Sequence, residues 1–257
     1  MNIHRKITMI EEGKLAISNH QAAAKGNSLR KIALAAGVFY LLTFVSIPTA
    51  FLYAPISDPN YIVSPGSDSG VILGAVLEII VALAGIGTAV ALYPVVKRQN
   101  ESLALGFVAS RTLEACTIFG DVVCLLALVS LRRAGAGADA LVTGKALVSL
   151  YTWFKLGQNL MPAVNALLLG SLMYQSRLVP RILPMLGLIG APLLLANTIV
   201  TMFGITGPIF VLTGIGFLPV AVWEFSLGVW LTFRGFKPSA ITSANAKMET
   251  NELLNAA

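Results

Sequence analysis

Six long apolar segments constrain the fold of this chain more than any other feature. A helix that crosses a bilayer needs about 20 mostly apolar residues, and each of the six reaches that length. No segment alternates between apolar and polar residues as a half-buried strand would, and an open sheet edge is not stable in lipid. The sequence therefore predicts an all-α, polytopic membrane bundle of six transmembrane helices, at residues 32–53, 70–96, 103–131, 149–174, 183–203 and 209–233.

The composition supports a membrane protein and excludes several other classes. Of the 257 residues, 56% are hydrophobic and 12% are charged, whereas a soluble domain has roughly 45–50% and about 25%. These values exclude a disordered chain, a disulfide scaffold and an ordinary soluble enzyme. The net charge of +6 does not indicate a nucleic-acid partner, because the basic residues lie beside the apolar segments rather than in one soluble patch. The predicted partner is the lipid bilayer.

The distribution of Lys and Arg predicts the orientation. Of the 18 basic residues, thirteen fall in the tails and loops on the side of the termini, three on the opposite side and two within the segments. Because cytoplasmic loops are enriched in Lys and Arg, both termini are expected in the cytoplasm. We expect a polar cytoplasmic tail at 1–30, one transmembrane domain at 31–236 and a disordered cytoplasmic tail at 237–257. The loop at 54–69 would lie outside, where a plain connector is favoured over a lid.

Six charged residues lie within the apolar segments, and they are the candidate site residues. An ionisable group in a transmembrane helix costs roughly 2.5–3.5 kcal/mol and is a functional candidate by default. Four of the six are acids and two are bases, so pairing alone leaves two negative charges. At least two acids must therefore hold a proton, face water or bind a cation. The six are Glu78, Arg111, Glu114, Asp121, Lys155 and Glu224.

Depth along the helices separates these charges into two groups. Arg111 and Glu224 lie about 12 Å and about 14 Å from the cytoplasmic ends of their segments, so they can form an ion pair. Glu114 is three residues from Arg111 on the same helix face and is the alternative partner. The outer half would hold a second cluster of Glu78, Asp121 and Lys155. Uncharged polar side chains on the fourth and fifth segments add to this polar core: Gln158, Asn159, Asn165, Asn197, Thr198 and Thr201.

Several motifs that would indicate a chemical activity are missing from the sequence. There is no His-x-x-x-His or Cys-x-x-Cys spacing for a metal, and both histidines lie in the N-terminal tail. No phosphate-binding loop and no Gly-x-Ser-x-Gly motif occurs. Cys116 and Cys124 are about 12 Å apart on one predicted helix, too far for a disulfide, and both are expected in the core. We therefore expect no enzymatic activity, no catalytic residue, no cofactor and no bound metal.

A family resemblance is carried by several short stretches that occur in order along the chain. They are RKIA at 30–33, LEIIVALA at 77–84, GTAVAL at 87–92, RTLEA at 111–115, NALLLG at 165–170, LVPR at 178–181 and WEFSLGVWL at 223–231. Together they resemble the bacterial integral membrane family catalogued as domain-of-unknown-function family 4386, over residues 30–236. The resemblance implies a single membrane domain in a bacterial plasma membrane and carries no activity with it. Where similar proteins tend to have a His-Asp-Trp-like start to the fourth segment, this chain has YTWFK at 151–155.

Two functions of different class remain open at this point. The buried acids, together with prolines that can break helices, favour a small-solute or ion permease in which the acids are protonated or bind a cation. The alternative is a structural or accessory membrane protein whose buried charges only fix the helix packing. The ligand of the permease would be a small solute or ion, and in the accessory role a protein partner that the sequence does not identify would supply the activity. A cavity that reaches Glu114 or Glu224 would favour transport, and a tightly packed, fully paired core would favour the accessory role.

Overall fold

The computed structural model describes residues 26–135, 137, 139–204 and 209–237. Within these residues every regular element is a helix, and no strand occurs. The all-α prediction is therefore confirmed for the described part. The predicted tails at 1–30 and 237–257 lie outside the described residues, apart from 26–30, which belong to the first helix, and Lys237.

The first apolar segment is a broken helix. It consists of α1 at 26–42, a 3₁₀ turn at Thr43–Ser46 and the short helix α2 at Thr49–Leu52, and a second 3₁₀ turn at Ala54–Ser57 follows. Pro48 precedes α2, and proline lacks an N–H and restricts the residue before it. At the break, side-chain hydroxyl groups donate hydrogen bonds to carbonyl oxygens. Thr49 Oγ1, for example, donates to the Ser46 carbonyl at 2.7 Å. Irregular backbone is stable at membrane depth where such groups satisfy it.

Five long helices follow, and they are α3 (Ser69–Val96), α4 (Glu101–Arg133), α5 (Ala140–Ser176), α6 (Ile182–Met202) and α7 (Ile209–Phe233). By length and composition, the described part of the chain contains five candidate membrane spans, which are the first segment, α3, α4, α6 and residues Gly216–Phe233 of α7. The remaining predicted span corresponds to α5. Its apolar content is diluted by Lys, Gln, Asn and Thr side chains, and it begins at Ala140, nine residues before the start that the sequence predicts.

The ends of α4 show why this helix runs for 33 residues although three charges lie inside it. The side chain of Asn100 accepts a hydrogen bond from the Leu103 backbone N–H at 3.0 Å and so caps the first turn. Glu101 lies in the first turn, and Arg132 and Arg133 lie in the last. These charges oppose the helix dipole at both ends and stabilise the termini.

Consecutive long helices pack against each other, and α1 packs against α3 and α7. The contact between α1 and α7 is close, because a Cβ at Gly37 would lie 2.8 Å from the Gly228 carbonyl oxygen. At the same end of the bundle the Arg30 guanidinium donates to the Leu231 and Thr232 carbonyls at 3.0 Å and 2.6 Å. We call this end, where α1 begins and α7 ends, the terminal end. The opposite end, which carries residues 54–68, is the loop end.

The apolar core is divided into two main parts. The larger part fills the terminal half around Phe107, Leu169 and Trp223. The smaller one lies at the loop end around Ile62 and Leu125. Along α4 the charged residues lie between Phe107 and Leu125, so the fold places the buried charges between two apolar regions.

Candidate functional site

Two layers of polar side chains cross the middle of the bundle, and the pairing of α4 with α5 sets their spacing. Glu114 and Asp121 are seven residues apart on α4, so they lie on the same face. The antiparallel helix α5 carries Asn165 and Gln158 at the same spacing. Asn165 Nδ2 donates to Glu114 Oε2 at 2.7 Å, and Gln158 Nε2 donates to Asp121 Oδ2. The two layers are therefore about 10 Å apart along the helices.

The terminal layer consists of Arg111, Glu114 and Glu224. Arg111 Nη1 donates to Glu114 Oε2 at 2.9 Å, and Arg111 Nη2 donates to Glu224 Oε1. The sequence leaves these two ion pairs as alternatives, and the structure forms both at once. The Arg111 side chain is 2% exposed, and its Cζ lies 5.2 Å from the centre of the Tyr40 ring. The guanidinium thus joins α4 to α7 and packs against α1.

The loop layer consists of Glu78, Asp121 and Lys155, which the sequence predicts as the second cluster. Lys155 Nζ lies 3.8 Å from Glu78 Oε1, which is beyond hydrogen-bonding distance. The Lys155 ammonium also lies 5.3 Å and 5.0 Å from the ring centres of Tyr53 and Tyr151. This base is therefore held more loosely than Arg111, and its side chain is 33% exposed.

Glu78 on α3 and Asp121 on α4 are the two acids of the loop layer, and their carboxyl groups interact electrostatically. Both residues are buried, Glu78 at 3% exposure and Asp121 at 0%. Among the described residues, no donor reaches Glu78 Oε2 or Asp121 Oδ1. Each of the two acids therefore keeps one carboxyl oxygen without a hydrogen-bond partner in the described part of the chain.

A cavity of about 190 Å³ reaches the terminal layer from the side of the broken first segment. Its polar lining includes Ser46, Arg111, Glu114, Gln158 and Glu224. The cavity is large enough for several water molecules, since one water needs roughly 10–15 Å³ measured in this way. Ile47 and Phe217, both exposed, lie on its rim. Because Gln158 lines the cavity and also binds Asp121, it connects the two layers.

A third polar cluster lies at the loop end, where the loop at 54–69 meets the last turn of α4. The Asp68 carboxylate accepts hydrogen bonds from Tyr61 Oη at 2.9 Å, from Arg132 Nη1 at 2.7 Å and from Arg133 Nε at 2.9 Å. Burial on its own would raise the pKa of Asp68, but the hydrogen bonds from Arg133, Tyr61 and Arg132 outweigh it and lower this pKa below its ordinary value. Arg132 also donates to the Ser64 carbonyl. The loop at 54–69 is thus pinned to the end of α4, which sequence reasoning missed although the adjacent arginines were a signal for it.

The two cysteines of α4 differ in burial, so the sequence expectation for them is confirmed only in part. Cys124 is buried as expected, but Cys116 is exposed, so the prediction that both cysteines lie in the core is wrong for Cys116. Eight residues rotate an α-helix by about 80° beyond two full turns, which is enough to expose Cys116 while Cys124 stays buried. Among the described residues, no group of three or more His, Cys, Asp or Glu side chains is arranged to hold a metal ion.

The tyrosines around Lys155 were not predicted, because nothing in the sequence brings Tyr53 and Tyr151 together.

The fold and the buried charges define the class of protein. Five candidate spans lie in the described part, and their outward faces carry exposed apolar side chains such as Leu83, Val123 and Ile189. These are the features of a multi-pass helical membrane protein. Within this class the chain belongs to the family described as "Domain of unknown function (DUF4386)", whose model matches residues 35–235. The resemblance found in the sequence is thereby confirmed, and no curated protein and no solved structure matches the chain.

Proposed function

We propose that this protein is a small-solute or ion permease in which the buried carboxyl groups take up and release protons. The observation that carries the proposal is the cavity of about 190 Å³ that reaches Arg111, Glu114 and Glu224 in the middle of the bundle. A tightly packed core would leave no such space beside buried charges. Ionisable groups that border a cavity at membrane depth are typical of ion and proton pathways.

The charge balance of the two layers supports proton coupling. Each layer contains two carboxyl groups and one base, so each carries one negative charge when all of its groups are ionised. An uncompensated charge at this depth is costly, and one proton or one monovalent cation per layer removes it. Gln158, which contacts both the cavity and Asp121, provides a polar link between the two sites.

The proposal includes six membrane spans, with α5 as the sixth. Two observations support this: α5 is 37 residues long, and it packs between α4 and α6, each of which is a candidate span. The excess of Lys and Arg on the side of the termini supports placing the terminal end in the cytoplasm. The family resemblance supports a bacterial plasma membrane as the location.

Cysteine labelling tests this topology. Asn60→Cys and Asn100→Cys, each in a chain without the two native cysteines, should differ in their reaction with a membrane-impermeant thiol reagent added to whole cells. We expect Asn60→Cys at the loop end to react and Asn100→Cys at the terminal end to be protected. Equal protection of both positions would contradict the proposed topology.

Proton coupling is tested in liposomes that contain the purified protein and a pH-sensitive dye. Inward gradients of potassium chloride, sodium chloride and tetramethylammonium chloride are applied in turn. We expect at least one gradient to change the internal pH in liposomes with the protein and not in empty ones. Glu114→Gln and Glu224→Gln should reduce the rate at least tenfold, whereas Glu101→Gln, the same change on an exposed residue of α4, should not. The absence of any protein-dependent pH change would overturn the proposal.

The alternative is an accessory membrane protein whose charges only hold the helices in register. It is favoured by one observation, which is that the polar contacts join different helices. Arg111 links α4 to α7, Lys155 links α5 to α3, and Asn165 links α5 to α4. In this case the Gln variants would lower stability and leave ion and proton movement at the level of empty liposomes.

A further inference from the structure

The Lys155 ammonium lies in a cage whose walls are suited to a cation. Glu78 Oε1 lies 3.8 Å from Lys155 Nζ. The rings of Tyr53 and Tyr151 stand nearly perpendicular to each other, with an interplanar angle of 84° and 6.0 Å between their centres. Both ring centres lie within about 6 Å of the ammonium, which is the range of cation–π attraction.

The fold builds this cage from three separate elements. Tyr53 ends the broken first segment, Glu78 lies on α3, and Tyr151 lies on α5 one turn before Lys155. The ring of Tyr53 packs on Gly74, where a Cβ would lie 2.8 Å from Tyr53 Cζ. Gly74 is one turn from Glu78, so the missing side chain allows the ring to approach the carboxyl group.

The Lys155 ammonium is held loosely in this cage, and the neighbouring acids Glu78 and Asp121 each keep a carboxyl oxygen that has no hydrogen-bond donor. Lys155 contacts Glu78 at a distance longer than a hydrogen bond, and its side chain is one-third exposed. No donor in the described part of the chain reaches Glu78 Oε2 or Asp121 Oδ1, and both residues are more than nine-tenths buried. A cavity of about 260 Å³, lined by Tyr53, Tyr151 and Lys155, lies next to the ammonium. This cavity provides space into which the Lys155 ammonium group can move.

We infer that Lys155 is a tethered occupant of a cation site, and that a free monovalent cation of the ammonium type displaces it. The inference rests on the proposed function and names a substrate class for it. Aromatic faces attract ammonium groups, whereas a divalent cation would need six or more oxygen ligands, which the cage does not supply. The lysine thereby supplies the positive charge beside Glu78 when no substrate cation is bound.

Equilibrium binding of radiolabelled methylammonium to the purified protein in detergent tests this inference. Methylammonium reproduces the end of a lysine side chain. Lys155→Gln and Lys155→Met remove the tethered competitor, and both should bind methylammonium about tenfold more tightly than the wild type, because a tethered group competes at millimolar effective concentration or above. Lys145→Gln, the same change on an exposed lysine of α5, should bind as the wild type does.

Further variants in the Lys155→Gln background identify the cage itself. Glu78→Gln should abolish the binding, Tyr151→Leu should weaken it about fivefold, and Tyr151→Phe should leave it nearly unchanged because the ring is retained. Methylammonium binding that is no tighter without Lys155, or that persists without Glu78, would overturn the inference. Unfolding of both Lys155 variants would also overturn it, because Lys155 would then be a structural group and not a displaceable one.

The binding measurement uses no membrane and no gradient, so it is independent of transport. Cation binding without any flux in liposomes would contradict the proposed permease and leave the cation site intact. Flux without cation binding in the cage would support the permease and overturn the cation site.

Discussion

The terminal and loop layers have the same composition, two carboxyl groups and one base, but they differ in how the base is held. In the terminal layer Arg111 is 2% exposed and donates to both carboxylates, with 2.9 Å to Glu114. In the loop layer Lys155 is 33% exposed and lies 3.8 Å from Glu78. The amide contacts from α5 are equivalent in both layers, so the difference lies in the base and its surroundings.

This difference assigns separate roles to the two layers. A guanidinium has five donors in a rigid planar arrangement and stays charged, so it can hold two carboxylates from different helices at once. A lysine ammonium is a compact charge on a flexible stem. Under the proposed function, Arg111 therefore holds the helices around the cavity whose acids exchange protons, and we propose that the loop layer exchanges its cation.

The largest expected effect is the loss of stability when Arg111 is removed. Arg111→Met leaves two buried carboxylates without their base and should lower the free energy of unfolding by about 3–5 kcal/mol. Lys155→Met should cost less than about 1 kcal/mol, because the ion pair is long and partly exposed. Denaturant titration in mixed micelles, followed by circular dichroism, measures both. Equal losses would contradict the assignment of separate roles.

A smaller effect is expected in double-mutant cycles, which isolate the two ion pairs. The cycle of Arg111→Met with Glu224→Gln should give a coupling free energy of about 1.5–3 kcal/mol, as for hydrogen bonds to charged groups. The cycle of Lys155→Met with Glu78→Gln should give less than about 1 kcal/mol. The same unfolding titrations supply the values, and a larger coupling in the second cycle would reverse the interpretation.

Two glycines of α3 provide a matched test of how each layer depends on close packing. Gly74→Ala should destabilise the protein by about 1–3 kcal/mol, because the new Cβ would overlap the Tyr53 ring and force it to move. At Gly85 the nearest atom to a new Cβ is Arg111 Cδ at 3.9 Å. Gly85→Ala should therefore be neutral or stabilising by about 0.5–1 kcal/mol. Thermal unfolding of both variants measures these changes in stability. A loss of stability in Gly85→Ala as large as that in Gly74→Ala would contradict this account.

The smallest expected effect concerns Asp68 at the loop end, which lies outside the two polar layers. Because the pKa of Asp68 is lowered on folding, its contribution to stability is present at neutral pH and is lost as the pH falls below the ordinary value of 3.8. Amide hydrogen exchange of residues 58–68 should therefore stay slow at pH 6 in the wild type and become faster in Asp68→Asn at the same pH. Unchanged exchange in Asp68→Asn would show that Asp68 does not hold the loop.

The sequence by itself determined the helical architecture and the identity of the buried charges. The apolar segments needed no tertiary information, because a bilayer fixes both the length and the composition of a spanning helix. The pairing of Arg111 was also predictable, since Glu114 is one turn away and Glu224 lies at a similar depth. The full extent of α5 was not, because Lys145 and its polar neighbours interrupt the apolar pattern on which the prediction depends.

Only the tertiary structure decided which groups meet and how tightly. The register of α4 against α5 places Gln158 on Asp121 and Asn165 on Glu114, and a shift by one residue would separate both pairs. The break at Pro48 positions Tyr53 beside Lys155, and the space on Gly74 lets it approach. Depth along a helix can be read from residue number, but rotation about its axis and distance from its neighbours depend on the packing of all the helices together.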